Sequence, residues 1–156
     1  MRATHFAILA LLTAGSVILP GIALESHGQS KETYLSANEL ARKAAQTESG
    51  IGFEVPSSAG YKVLMIRRDK TGDVEVHTRM NDTIIIERGR GEFLVGGRVA
   101  GNRLVRPNEW RGGNISGAHE YDVSAGDLLL IPAGVPHKAV ITSGPFTYLT
   151  IKTPKQ

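Results

Sequence analysis

The chain contains no cysteine. No disulfide can brace the fold, no thiolate can ligate a metal, no cysteine can act as a nucleophile, and none can carry a lipid. Stability must therefore come from packing alone. Aromatic residues are few, at 6%, with a single tryptophan at Trp110. Basic residues are scattered. Arg67-Arg68 and Arg88-x-Arg90 are the densest spots, and no basic stripe interleaves with aromatics, which argues against a nucleic-acid partner. Ser116 and Ser124 sit in no nucleophile-elbow context, and no glycine-rich phosphate loop joins a strand to a helix. Internal repeats and low-complexity tracts are also lacking.

What is present describes one ordinary globular unit. A length of 156 residues suits a single domain with a real apolar core, and 41% hydrophobic with 21% charged residues is an unexceptional balance. Glycine is frequent, at 18 residues, which favours many tight turns over a helical bundle. The first two dozen residues stand apart. Arg2 and His5 precede an uncharged run from Phe6 to Leu24 that ends in the small residues Gly21-Ile22-Ala23. A basic start, an apolar stretch and small residues make a secretory signal over 1–23, cleaved after Ala23. The expected location is then periplasmic or extracellular, with no membrane attachment after cleavage. An uncleaved anchor is the alternative, because the run approaches a bilayer-spanning length. Pro20 and Gly21 argue against one continuous spanning helix.

Residues 24–50 read as a polar lead-in followed by one short helix. Ser36-Ala37-Asn38-Glu39 fits a capping box, and Leu40, Ala41, Ala44 and Ala45 carry a modest apolar stripe to about Gln46. From residue 51 to the end the pattern is strand, turn, strand. Strands are expected at 61–66, 73–77, 83–87, 92–95, 118–123, 128–131, 135–141 and 146–151, with a hairpin turn at Gly96-Gly97 and a polar connection from Arg98 to Gly117. Such a series, with glycine-marked turns and one leading helix, makes an all-β sandwich or barrel.

Two segments carry chemistry. Gly126, Pro132, Gly134 and His137 follow the spacing glycine, five residues, proline, any, glycine, two residues, histidine. In that arrangement Pro132 ends one strand, Gly134 permits a tight turn, and His137 opens the next strand. Upstream, Glu75-x-His77, four residues, Asp82, six residues, Gly89 forms a second spaced set. Residues two apart on a strand share a face, so Glu75 and His77 can converge. Glu87 has the opposite parity to Asp82 and reads as an outward, structural residue. The first set resembles the second motif of the cupin family, except that Ile141 stands where an asparagine is usual. The other resembles the first cupin motif with two changes: Glu75 replaces its first histidine and Asp82 its glutamate.

The resemblance covers about 61–151 and implies a double-stranded β-helix, or jelly-roll, barrel. It places His77, His137, Glu75 and Asp82 together inside, where they would hold a divalent iron, manganese, nickel or zinc ion. Aspartate draws its carboxylate back by one methylene from the shared point. A second register, His77-x-Arg79, breaks the spacing to Asp82 and the glycine; it would give a metal-free, cationic site suited to an acidic ligand. Arg79, Trp110, Arg111 and His119 are candidate substrate-binding residues, the latter three from the connection between the motifs. Three functions stay open: a metal-dependent enzyme acting on a small organic molecule, a non-catalytic cupin that captures a sugar or organic acid, and a scaffold with a vestigial site. Cupins commonly pair through their sheets, so the resemblance also implies a homodimer.

Overall fold

The computed structural model describes residues 33–55 and 60–156. The export signal expected over 1–23, most of the polar lead-in, and the break expected at Pro56-Ser57-Ser58 lie outside the described residues. The helix forms where its cap was legible: α1 spans Ala37–Gln46. The Ser36 amide donates to the Glu39 carboxylate at 3.0 Å and the Glu39 amide donates to the Ser36 hydroxyl at 3.3 Å. Two free amides at the helix start are thus satisfied reciprocally. Ala44 is its buried residue, and the helix lies against the second strand.

Eleven strands follow among the described residues. They are β1 Phe53–Val55, β2 Lys62–Arg68, β3 Glu75–His77, β4 Met80–Val95, β5 Arg98–Ala100, β6 Arg103–Arg106, β7 Glu109–Arg111, β8 Asn114–Ser116, β9 His119–Ser124, β10 Leu128–Ile131 and β11 His137–Pro154. Two long strands organise them. β4 and β11 pair antiparallel from Met80 opposite Pro154 to Val95 opposite His137, with register shifts between Val140 and Tyr148. Around this pair, β2 and β3 attach to β11, while β9 and β10 attach to β4. The curled sheet closes into a half-barrel whose inner face carries the core.

Four strands expected as separate pieces are therefore two bent ones, 83–87 joined to 92–95 and 135–141 joined to 146–151. The bend explains why the sequence looked interrupted. Gly89 adopts φ +82°, and a Cβ there would lie 2.7 Å from the Pro145 carbonyl oxygen. At Gly91 a Cβ would meet the Phe146 ring at 2.6 Å. Glycine lets the two backbones close on each other where the sheet folds over. Inside the fold, Phe93 meets Phe146 and Tyr148 edge to face, at centroid distances of 6.1 and 5.5 Å. Ile84, Ile86, Val123, Ile131 and Ala139 complete the cluster.

The expected hairpin turn at Gly96-Gly97 and loose connection over 98–117 are corrected by the structure. β5 pairs with β8 and β6 with β7, so the segment is one long hairpin arm continuing the β4–β9 pair. Its tip is Pro107-Asn108, with Asn108 at φ 66°. Gly96-Gly97 and Gly112-Gly113 are kinks in that arm, at positive φ, rather than turns. The arm folds back until β7 adds to β3, pairing Glu75 with Arg111 and His77 with Glu109.

The packing at the fold-over is testable by urea unfolding. Gly91→Ala should cost about 1–3 kcal/mol by overpacking and Phe146→Ala about 3–5 kcal/mol by leaving a cavity. The double variant should lose clearly less than the two together, because removing the ring makes room for the methyl. Strict additivity would show that Gly91 is not held close by that ring.

Candidate metal centre

The turn that brings the two motifs together is built from their own backbone. Pro132 ends the β10 segment, Gly134 takes φ +87°, and the Gly134 amide donates to the His77 carbonyl at 2.8 Å. Asn81 accepts from the Ala133 amide at 2.9 Å, tying the same turn to β4. His137 then opens β11 directly opposite Glu75. Because Glu75 and His77 alternate with Val76, both face the lumen, as does His137.

Glu75, His77 and His137 each offer one ligand atom, and the three atoms lie within 4.8 Å of one another. Both histidines are buried, at 7% and 6% exposure. The rings lie 5.3 Å apart, inclined by 42°. Their second nitrogens are committed elsewhere. Nδ1 of His137 lies 3.2 Å from the Val135 carbonyl, and Nδ1 of His77 lies 2.8 Å from Oδ2 of Asp82. Both oxygens can only accept, so a ring that carries its proton on Nδ1 donates there and presents Nε2 as the ligand nitrogen, the neutral form a metal takes. Burial lowers the pKa of His137, which favours that neutral form.

Each Nε2 faces a carboxylate oxygen: His77 faces Glu75 at 3.6 Å and His137 faces Asp82 at 3.3 Å. The Lys152 ammonium also stands 3.3 Å from Nε2 of His77. Two imidazoles and a carboxylate are the donor set of borderline divalent ions, and a backbone carbonyl or carboxylate on the far nitrogen is how ligating histidines are oriented. The residues fit an ion of that class.

Asp82 has other partners. It is 3% exposed and stands outside the convergent trio. The ammonium of Lys152 lies 2.6 Å from its Oδ1 and 3.2–3.3 Å from the two ring nitrogens of His77. Burial alone would raise the Asp82 carboxyl, but the hydrogen bond from His77 and the charge of Lys152 hold it at about 2. Expected as a ligand, Asp82 instead orients His77 and pairs with a lysine.

Glu75 is flanked by two guanidiniums, Arg68 at 3.3 Å and Arg111 at 3.1 Å. Arg68 also donates through Nε to the Tyr148 hydroxyl at 2.7 Å, and burial pushes that phenol up to about 12. Arg111 pairs in turn with Glu109, which arrives on the same face of β7.

These groups line one cavity of about 540 Å³, to which Arg79 also contributes. Of the other candidates, Arg111 lies inside while Trp110 and His119 do not. Trp110 alternates with Glu109 and Arg111, so it is turned to the outer side and stays 38% exposed. His119 is exposed on β9, with its ring 6.4 Å from that of Tyr121. The residues not anticipated are Lys152, Arg68, Tyr148 and Glu109. Lys152 follows Phe146, Tyr148 and Thr150 in inward alternation, so it was readable had the last strand been carried past 151. Its register partner is Asp82.

Comparison with known proteins agrees with this architecture. Residues 84–155 match the family model of the AraC-like ligand binding domain, a stretch that includes His137 but begins after Asp82. A search of curated proteins finds no match to the chain. Among solved structures, a conserved protein with a double-stranded β-helix domain from Klebsiella pneumoniae is 16% identical. The alignment covers 80% of this chain and 91% of that one, with a TM-score of 0.56. Hydroquinone 1,2-dioxygenase from a Sphingomonas species, with 4-hydroxybenzoate bound, is 14% identical over 74% of this chain and 72% of that one, also at 0.56. A cupin from Bacteroides fragilis is 12% identical over 81% of this chain and 85% of that one, at 0.50. At such identities the likeness speaks for the fold. With the curled barrel and the turn that delivers His137 already in place, these matches show that the chain has the double-stranded β-helix fold seen in cupins.

Proposed function

We propose that this chain is an exported cupin that holds one divalent ion between Glu75, His77 and His137 and acts on a small organic molecule in its barrel. The observation that carries the reading is the convergence of those three donors within 4.8 Å. When bound, the ion would supply Lewis-acid polarisation of a substrate oxygen. The chain's own residues do the rest. Asp82 and the Val135 carbonyl orient the two rings, and Arg68 and Arg111 hold the Glu75 carboxylate in place. Export rests on the sequence over 1–23.

A binding cupin without catalysis is the second reading, and one observation favours it. Lys152 already supplies a positive charge beside His77 and Asp82, so an ion must enter against an ammonium. Removing that charge separates the two. Calorimetric titration of the chelator-stripped protein with zinc or manganese should show one ion per chain. His137→Ala should abolish it, and Asp82→Asn should weaken it by about 10- to 100-fold, as loss of an orienting partner does. Absence of binding by the wild type would sink the metal reading.

Lys152→Met should tighten ion binding by about tenfold or more, since a unit charge a few ångströms away is removed while the donors stay. An unchanged or weaker affinity would mean that Lys152 does not compete with the ion.

The same pair governs acid stability. With the folded carboxyl of Asp82 at about 2 and its ordinary value at 3.8, its contribution is complete above the ordinary value. It is lost as pH falls from there through the folded value. In the stripped protein this amounts to about 2 kcal/mol between roughly pH 5 and pH 2. Asp82→Asn lacks that term, so its stability should fall less steeply over that range, although it starts lower. Parallel slopes in acid would refute the assignment.

A further inference from the structure

Among the described residues the ion pairs in the lumen are balanced, and the positive charge left over sits on exposed residues of the cavity lining, Arg79 and Arg106. Asp82 is matched by Lys152, and Glu75 with Glu109 by Arg68 and Arg111. Every deep carboxylate is therefore engaged. At the rim, Lys62 and Glu54 face each other at 3.7 Å. Arg79 differs from all of these. It lines the same cavity, its residue is exposed, and among the described residues it makes no ion pair. Arg106 also lines the cavity and reaches only Glu109, at 3.7 Å, with its side chain 71% exposed. Leu64, Ile66, Ile84 and Phe93 give the same cavity an apolar part of its lining.

This distribution discriminates between ligand charges. An organic cation would meet the guanidiniums of Arg79 and Arg106. A neutral acceptor could take N–H bonds from Arg79 but without the strength that an opposite charge adds. A carboxylate would receive two parallel N–H bonds from a planar guanidinium fork that has no ion-pair partner among the described residues. A divalent ion in the site would add to the same attraction.

We propose that the cavity takes a small organic acid, its carboxylate met by Arg79 and its apolar body lying along Leu64, Ile66 and Phe93. This names the ligand class for the cavity of the proposed function, and it rests on that reading only for the ion's added charge. The test uses matched probes: benzoate with benzamide, cyclohexanecarboxylate with its amide, and butyrate with butyramide. Each is titrated into the zinc-loaded and the chelator-stripped protein and followed by calorimetry and thermal shift.

At least one acid should bind at millimolar concentration or tighter, and about ten- to a hundredfold better than its amide. Arg79→Gln should erase that preference while leaving zinc binding unaltered. The proposal is overturned if no acid in the series binds, if an amide matches its acid, or if Arg79→Gln keeps the preference. Phenyl phosphate binding tighter than benzoate would overturn the choice of carboxylate. Acid preference that persists in stripped protein, with no zinc uptake, would leave this proposal standing and remove the metal. Zinc uptake without acid preference would do the reverse.

Discussion

Everything in the barrel depends on how one nearly inaccessible carboxylate is neutralised. The Asp82 side chain is 2% exposed, and an unpaired carboxylate so placed would cost several kcal/mol. Lys152 at 2.6 Å and the His77 ring at 2.8 Å supply the compensation. The three groups come from β11, β4 and β3, so the pairing also fixes where those strands meet. Among the described residues no buried side-chain nitrogen or oxygen is left without a hydrogen-bond partner. A polar cluster satisfied this completely can specify one arrangement of its strands, where a partly satisfied one would loosen them.

The same constraint explains the arm. Glu75 faces the lumen beside two imidazoles and needs positive charge from somewhere. Arg68 on β2 supplies one guanidinium and Arg111 on β7 the other. Arg111 reaches Glu75 only because the arm bends back and pairs with β3, and the bend is possible because Gly96-Gly97 and Gly112-Gly113 accept positive φ. Backbone pairing and charge pairing thus close one side of the cavity together. The arm's tip is held as well, with the Thr78 amide donating to the Asn108 carbonyl at 2.9 Å.

The parts of this that a sequence can express were readable. A capping box, a proline-to-glycine turn ending in histidine, and a two-residue alternation are local patterns, and Ser36, Pro132, Gly134, Glu75 and His77 follow them. Strand continuity was not readable, because Gly89 and the stretch from Ser143 to Pro145 look like turns yet lie at bends within pairing strands. The arm was missed for a related reason: its glycines are spaced as in a loop, and only the opposing register of Arg98 with Ser116 and Arg103 with Arg111 makes them kinks. The outward placement of Trp110 follows from the same pairing. Once the segment is a strand, parity turns Trp110 outward and Glu109 and Arg111 inward. Lys152 was lost by ending the last strand at Ile151, whereas β11 runs on to Pro154.

The departures from the family's motif belong together physically. A glutamate at position 75 adds a negative charge where the pattern has a neutral imidazole, and the two arginines offset it. An aspartate at position 82 falls one methylene short, and the ammonium of Lys152 takes up its freed lone pairs. Buried ion pairs are poor stabilisers, because desolvating both members costs about what their attraction returns, and apolar side chains of similar size would serve packing as well or better. Three such carboxylates with three cations are therefore hard to account for as a device for holding the barrel shut. What they achieve is position: two imidazoles and one carboxylate, the latter held between guanidiniums, whose ligand atoms are brought within 4.8 Å of one another at the cavity wall.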